Sequence, residues 1–393
     1  MLSDCESIGG AAVAATRLAT ALEGVGCDVS RIVSRGEPSE RTIAIRAPFR
    51  IPVRLTTPHV ASMARDFWSR RAEQALRKAL DAIAPDVISI HNLHNATVAG
   101  WSPRFVEICA ERAPVLWTLH DMWSFTGRCA HSRACEKFVD GCDETCPTAE
   151  EYPAFPRSRI REEWDLRRRI IAEHPNVSAV TPSRWLANLA TRGFWPSNRV
   201  TVIPNGVDTS IYRPGQRNRN QRTAIIVMQD FRDSQKGGAL LASALDMLSK
   251  RGLLCLTVGK NAGSIDWRGA NVRHLGWLVS EEERAAAYAS ADFLVHPSLA
   301  ENLPNVIVES MACGTPAVAF DVGGVSEAVR EGETGWLCDA ATPVGLVRGI
   351  ARALDDVENR RDLRESSRAY ALQHYDLGTI GRRYLALFTS QKN

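Results

Sequence analysis

The sequence predicts an α/β protein built from two doubly wound, Rossmann-like domains. Three observations carry this. Short apolar runs without polar alternation recur along the chain, as strands buried on both faces do. Helix-length segments separate them, as crossover connections between parallel strands require. The pattern also restarts after a turn-rich stretch at 208–222, "DTSIYRPGQRNRNQR".

In order, "GAAVAATRLATALEGVG" reads as a helix rich in Ala and Leu and ended by Gly24 and Gly26. Strands follow at "DVISI" (86–90), "PVLWTL" (114–119), "VSAV" (177–180) and "VTVIPNG" (200–206). The second series is "TAIIVM" (223–228), "LLCLTVG" (253–259), "DFLVHPS" (292–298) and "TPAVAF" (315–320). A chain of 393 residues exceeds what one core usually holds. Domain boundaries are therefore expected at 1–207, a linker at 208–222 and a second domain at 223–375. Only "MLSDCESI" precedes Gly9, so the first strand of the first sheet is expected to be nearly absent, with the true start upstream of Met1 as one explanation.

A net charge of +3 gives no strong pull toward nucleic acid. No apolar run reaches the ~18 residues of a membrane span, and no secretory leader is visible. A cytoplasmic location with reduced thiols is the expectation. Cys129, Cys135, Cys142 and Cys146 follow a C-x(5)-C-x(6)-C-x(3)-C pattern. Free thiols, a structural zinc and a disulfide are the readings in that order, none of them catalytic. Arginines recur among apolar residues at 65–80 and 157–170. A solvated helix face explains them; the alternative is reversible contact with anionic lipid on the inner face of a membrane.

Open parallel sheets bind ligands at the carboxyl ends of their strands. There the chain places "IHNLHN", "LHDMW", "VTPSRW", "IPNGVD", "VMQDFRDSQKGG" and "HPSLAENLPN". Turn chemistry accounts for Asn205–Gly206. It does less for His120–Asp121, and least for Glu301 and Glu309, which flank a helix start at Pro304. A helix N-terminus favours phosphate, and carboxylates accept from sugar hydroxyls. Together these suit a nucleotide sugar. The bland alternative makes Glu301 loop surface and Glu309 a solvated helix residue.

The segment "HPSLAENLPNVIVESMACGTPAVAFDVGGVSEAV" resembles the donor-binding signature of the retaining glycosyltransferases of family 4, with Glu301 and Glu309 as its E-x(7)-E pair. The resemblance continues in "GGAAVAATRLATAL", "HD", "TPSRWL", "IPNGVD" and "KGG", in the family's order over nearly the whole chain. "HDMWSFTGRC" with the following cysteines is similar to a subgroup of exopolysaccharide-building enzymes. The resemblance implies the GT-B fold, two such domains facing each other across a cleft. The expected organisation adds a Cys-containing insertion at 121–156 and a C-terminal helix at 376–393 that packs back on the first domain.

It also implies roles. Gly9 and Gly10 let the backbone approach the acceptor and the donor phosphates. His120 lies by the donor sugar. Lys236 holds the diphosphate and stabilises the leaving group. Glu301 contacts the transferred sugar, Asn302, Leu303, Pro304 and Asn305 flank sugar and phosphates, and Glu309 holds the ribose diol. The family's usual arginine six residues before the lysine is replaced by Asp230, leaving Arg232 as a substitute. No metal or cofactor is implied. The partners are a UDP-, GDP- or ADP-sugar and a glycan or lipid-linked glycan acceptor. A nucleotide-sugar epimerase and a two-lobed sugar-binding protein are the alternatives.

Overall fold

The structure is a computed structural model that describes residues 1–6, 9–46, 58–94, 100–149, 155–359 and 362–392, the side chains of 58–67, 358–359 and 392 excepted. Asn95 of the "IHNLHN" loop, residues 150–154 of the expected insertion and the side chains of 65–67 in the first arginine-rich stretch lie outside the described residues.

The chain divides into two compact units, Met1–Ile203 with Gly381–Asn393, and Pro204–Ile380. In the first, the strands are β1 (Leu2–Cys5), β2 (Arg31–Arg35), β3 (Thr42–Ala44), β4 (Ile88–Ile90), β5 (Val115–Thr118), β6 (Val177–Thr181) and β7 (Val200–Val202). They form one parallel sheet in the order β3-β2-β1-β4-β5-β6-β7. The expectation of a nearly absent first strand is corrected here. Four residues suffice, because Leu2, Ser3 and Cys5 register with Ile32, Val33 and Arg35 on one side and Leu2 with Ile90 on the other. A strand paired on both edges satisfies its backbone groups however short it is.

The second unit holds β8 (Thr223–Asp230), β9 (Leu254–Lys260), β10 (Asn271–Gly276), β11 (Phe293–His296), β12 (Ala317–Phe320) and β13 (Gly335–Cys338). All pairings are parallel, in the order β10-β9-β8-β11-β12-β13. Alternate residues of a strand serve opposite faces. Ile225, Ala317 and Ala319 belong to one apolar cluster, and Ala224, Ile226, Val318 and Phe320 to the other. Both faces are therefore covered, and this is why these strands read as continuous apolar runs. Residues 208–222, linker-like in composition, pack within this unit: Tyr212 is fully buried and Arg217 pairs with Asp292. The apolar side of the helix Ile160–Glu173 is also buried, through Trp164, Ile170 and Ile171, while Arg161 and Arg169 pair with carboxylates. Among the described residues no helix is long and apolar enough to cross a membrane.

Candidate functional site

Each sheet reverses its winding at one point, between β1 and β4 in the first and between β8 and β11 in the second. Loops leaving strands at such a reversal diverge and open a crevice at their carboxyl ends. Gly9, Arg232, Lys236 and Glu301 to Pro304 sit on these loops, whereas His120 follows β5, Gly10 begins a helix, and Asn305 and Glu309 lie in the helix after Pro304.

In the second unit, Lys236 comes from the loop after β8 and Glu301 from the loop after β11. Lys236 Nζ donates to Glu301 Oε1 at 2.6 Å. His296 Nε2 lies 3.2 Å from the same oxygen but off the line of a hydrogen bond. Burial would raise the Glu301 carboxyl, but Lys236 and His296 outweigh it and hold the group well below the usual carboxylate range. Burial likewise pulls on Lys236, yet the carboxylate beside it raises the ammonium pKa. Both groups are charged at neutral pH.

Two glycines make the pairing sterically feasible. Gly237 sits at φ 76°, and a Cβ there would meet Pro297 O at 2.1 Å. Gly323 sits at φ 62°, and its Cβ would meet Glu301 O at 1.7 Å. Only glycine fits either close approach.

Pro304 caps the helix Asn305–Ala312 rather than beginning it. Asn302 O accepts from Gly324 N at 2.8 Å, Leu303 packs into the core, and Asn305 Oδ1 accepts from Asn205 Nδ2 at 2.9 Å. Glu309 is not a solvated helix residue: it is 5% exposed, and Tyr288 donates its phenol to Glu309 Oε2 at 3.0 Å. Arg232 stands apart as an exposed side chain, tied to Asp230 at 2.9 Å, with Asn261 on the same carboxylate.

In the first unit, Gly9 precedes the helix Gly10–Gly24 at φ 96°, ψ 157°, a conformation open essentially to glycine alone. His120 follows β5. Its Nε2 lies 2.9 Å from His91 Nδ1, and the two rings stack with centroids 5.2 Å apart. Burial, only partly offset by Asp121, lowers the His120 pKa to about 4, so the imidazole is neutral at pH 7. His94 Nε2 faces Asp121 Oδ2 at 3.6 Å, and Asp121 Oδ1 accepts from Trp123 N at 2.8 Å. The ten cysteines are free, and no group of three or more metal-ligating side chains gathers among the described residues. Cys129 and Cys146 both approach Thr148 Oγ1, at 3.8 Å.

Sequence reasoning overlooked Tyr288, His296, His91 and His94 as site neighbours. The last three sit in strand-end peptides that could have flagged them. Tyr288, on the helix Glu281–Ser290, carries no local signal.

Comparison with known proteins places the chain in a family. Residues 8–211 match the model of Glycosyltransferase Family 4, and residues 222–356 that of Glycosyl transferases group 1. The chain is 27% identical over 259 residues to a putative colanic acid biosynthesis glycosyl transferase, WcaC, of Escherichia coli K12, covering 63% of this chain and 62% of that one. It is 29% identical over 270 residues to a D-inositol 3-phosphate glycosyltransferase of Corynebacterium efficiens, covering 62% and 61%. The chain thus spans about three fifths of the length of these curated relatives. Among solved structures, sucrose-phosphate synthase of Thermosynechococcus elongatus superposes with a TM-score of 0.71 at 19% identity, over 98% of this chain and 94% of that one. HepE of Anabaena, in complex with UDP and glucose, gives 0.66 at 16% identity, over 99% and 98%. These likenesses show the fold, that of the GT-B glycosyltransferases. With the first family model matching more than half of its residues, the chain belongs to glycosyltransferase family 4.

Proposed function

We propose that the protein transfers a sugar, with retention of configuration, from a nucleotide-sugar donor to a glycan or lipid-linked glycan acceptor in cell-surface or exopolysaccharide synthesis. The observation that carries this reading is the Lys236–Glu301 pair at the switch point of the second sheet. It sets a cation for the leaving diphosphate beside a carboxylate for the reacting sugar. Glu309, in the helix that follows the Glu301 loop and bonded by Tyr288, would accept from the ribose diol. The bond from anomeric carbon to phosphate oxygen breaks while the acceptor hydroxyl bonds to that carbon on the same face. Lys236 stabilises charge as it develops on the diphosphate, and the Glu301 carboxylate stabilises positive charge on the ring. Neutral His120 can hydrogen-bond a hydroxyl of the donor sugar without adding charge, and Gly9 and Gly10 let backbone approach donor and acceptor. Arg232 serves the diphosphate in a secondary way, because Asp230 already engages it.

The UDP and glucose in the Anabaena fold relative support a nucleotide-sugar donor, and the WcaC likeness supports a polysaccharide product. The reading keeps the protein on the cytoplasmic side. Membrane contact through the helix Ile160–Glu173 would be electrostatic, since the apolar face of that helix is buried. The test is a panel of UDP-, GDP- and ADP-sugars, scored by nucleoside diphosphate release and by the anomeric configuration of the product. An inverted product would overturn retention. Conversion of the donor sugar without diphosphate release would favour the epimerase, and binding without turnover the sugar-binding protein.

A further inference from the structure

A cavity of about 720 Å³ lies in the first unit, within the range that holds a small saccharide. Its walls include Arg70 of the helix Pro58–Ile83, Ser102 and Arg104, Arg159 just before the helix Ile160–Glu173, and Arg167 in the middle of that helix. His94 and Trp123 line both this cavity and the small one beside His120. A ligand here would therefore have one end next to the residue assigned to the donor sugar.

Three carboxylates of the wall are engaged; the pKa of a fourth, Glu73, is raised by burial, offset in part by the charges of Arg104, Arg77 and Arg70 around it. Glu163 pairs with Arg167 at 3.2 Å and with Arg159 at 3.9 Å, Glu162 with Arg159 at 3.4 Å, and Asp165 with Arg161 at 2.9 Å. Arg70 and Arg104 are exposed and, among the described residues, have no carboxylate within 4.0 Å.

Five buried polar side-chain atoms lack a hydrogen-bond partner among the described residues. Three of them, Ser102 Oγ, Arg159 Nη1 and Arg167 Nε, belong to this wall. Arg167 is 1% exposed, lies 4.0 Å over the Trp123 ring, and donates through Nη1 to Glu163 O at 2.7 Å and Gly127 O at 3.3 Å. Leaving a buried donor unpaired costs about 1–3 kcal/mol. All three groups can donate, and two are guanidinium N–H groups, whose matching partner is an oxyanion with lone pairs and no proton to give.

We infer that this cavity is the acceptor subsite and that the acceptor carries an oxyanion, a phosphate or a carboxylate, bound by Arg159 and Arg104. The inference rests on the transferase reading for the word acceptor, and on the cavity alone for the anion.

The test uses the full chain and titrates glucose 6-phosphate, glucuronate and glucose by calorimetry, against wild type, Arg159→Gln, Arg104→Gln and Lys236→Ala. One anionic sugar should bind at least about tenfold tighter than glucose, and each arginine change should weaken it by about tenfold. Lys236→Ala should leave that binding unchanged. Preference for glucose 6-phosphate assigns the phosphate, and preference for glucuronate the carboxylate. Equal binding of all three sugars overturns the inference, and so does loss of anion binding only in Lys236→Ala. Arg104→Gln changes an exposed residue, so the test survives if Arg159→Gln fails to fold. Arginine-dependent binding in a protein that turns over no nucleotide sugar would sink the transferase reading and leave the anion site standing.

Discussion

Lys236 and Glu301, 65 residues apart in sequence, form a 2.6 Å ion pair. The pair brings together the two residues assigned to opposite ends of the scissile bond, and it fixes the lysine's position before any ligand arrives. A cation already oriented needs little reorganisation when the diphosphate begins to leave.

Lys236→Ala is therefore expected to lower the turnover number by about two to three orders of magnitude. Arg232→Ala should cost much less, because Arg232 is exposed and already bound to Asp230. Single-turnover rates at saturating donor measure both. Wild-type turnover in Lys236→Ala would remove it from the site.

The two carboxylates are expected to separate kinetically. Ribose is unchanged by reaction, so Glu309→Gln should raise the donor KM and spare kcat. The loss of one charge-assisted hydrogen bond predicts about 1.5–3 kcal/mol, or roughly one to two decades in affinity. Glu301→Gln should mainly lower kcat, because positive charge on the sugar ring develops only toward the transition state. The same pattern in both variants, or a reversed one, refutes this division.

Tyr288→Phe removes the phenol that steadies Glu309 and leaves a buried carboxylate one donor short, at a cost of about 1–3 kcal/mol. The expected result is a lower melting temperature together with a raised donor KM at near-normal kcat. An unchanged KM would show that Glu309 does not need this partner for its role.

Acid should weaken the second unit through Glu301. Its folded pKa is depressed, so its stabilisation is complete above the unfolded carboxyl value, about 4.3, and is lost as pH falls below it. Hydrogen exchange in β8 and β11 should show wild type better protected than Glu301→Gln at pH 6, with the gap closing below pH ~4. A gap independent of pH would mean that the effect is not ionic.

Gly323→Ala should impair both stability and turnover, because the new Cβ would fall 1.7 Å from Glu301 O at a positive φ. The loop carrying Glu301 must shift to accommodate it. Normal melting and normal kcat together would contradict the close approach.

The apolar runs, the helix-length spacing and the glycines of the loops determined by themselves that this chain makes two parallel α/β sheets. Those signals are local, and strands buried on both faces are written without alternation. The same locality placed Lys236, Glu301 and His120 at strand ends, where turn residues and charges stand out against an apolar background, and Glu309 in the helix that follows. Weaker local signals left β2, β3, β10 and β13 unread: β10, for instance, is a partly exposed edge strand whose sequence is "NVRHLG". A sheet's strand order, and hence the position of the reversal, depends on which non-adjacent strands pair, and no window of sequence contains that. Pairing across 65 residues joined Lys236 to Glu301, and packing across 21 set Tyr288 against Glu309. Pairing along both edges turned the four residues Leu2–Cys5 into a central strand. Only the tertiary structure could decide these, because each depends on free energy gained when distant segments bury and hydrogen-bond one another.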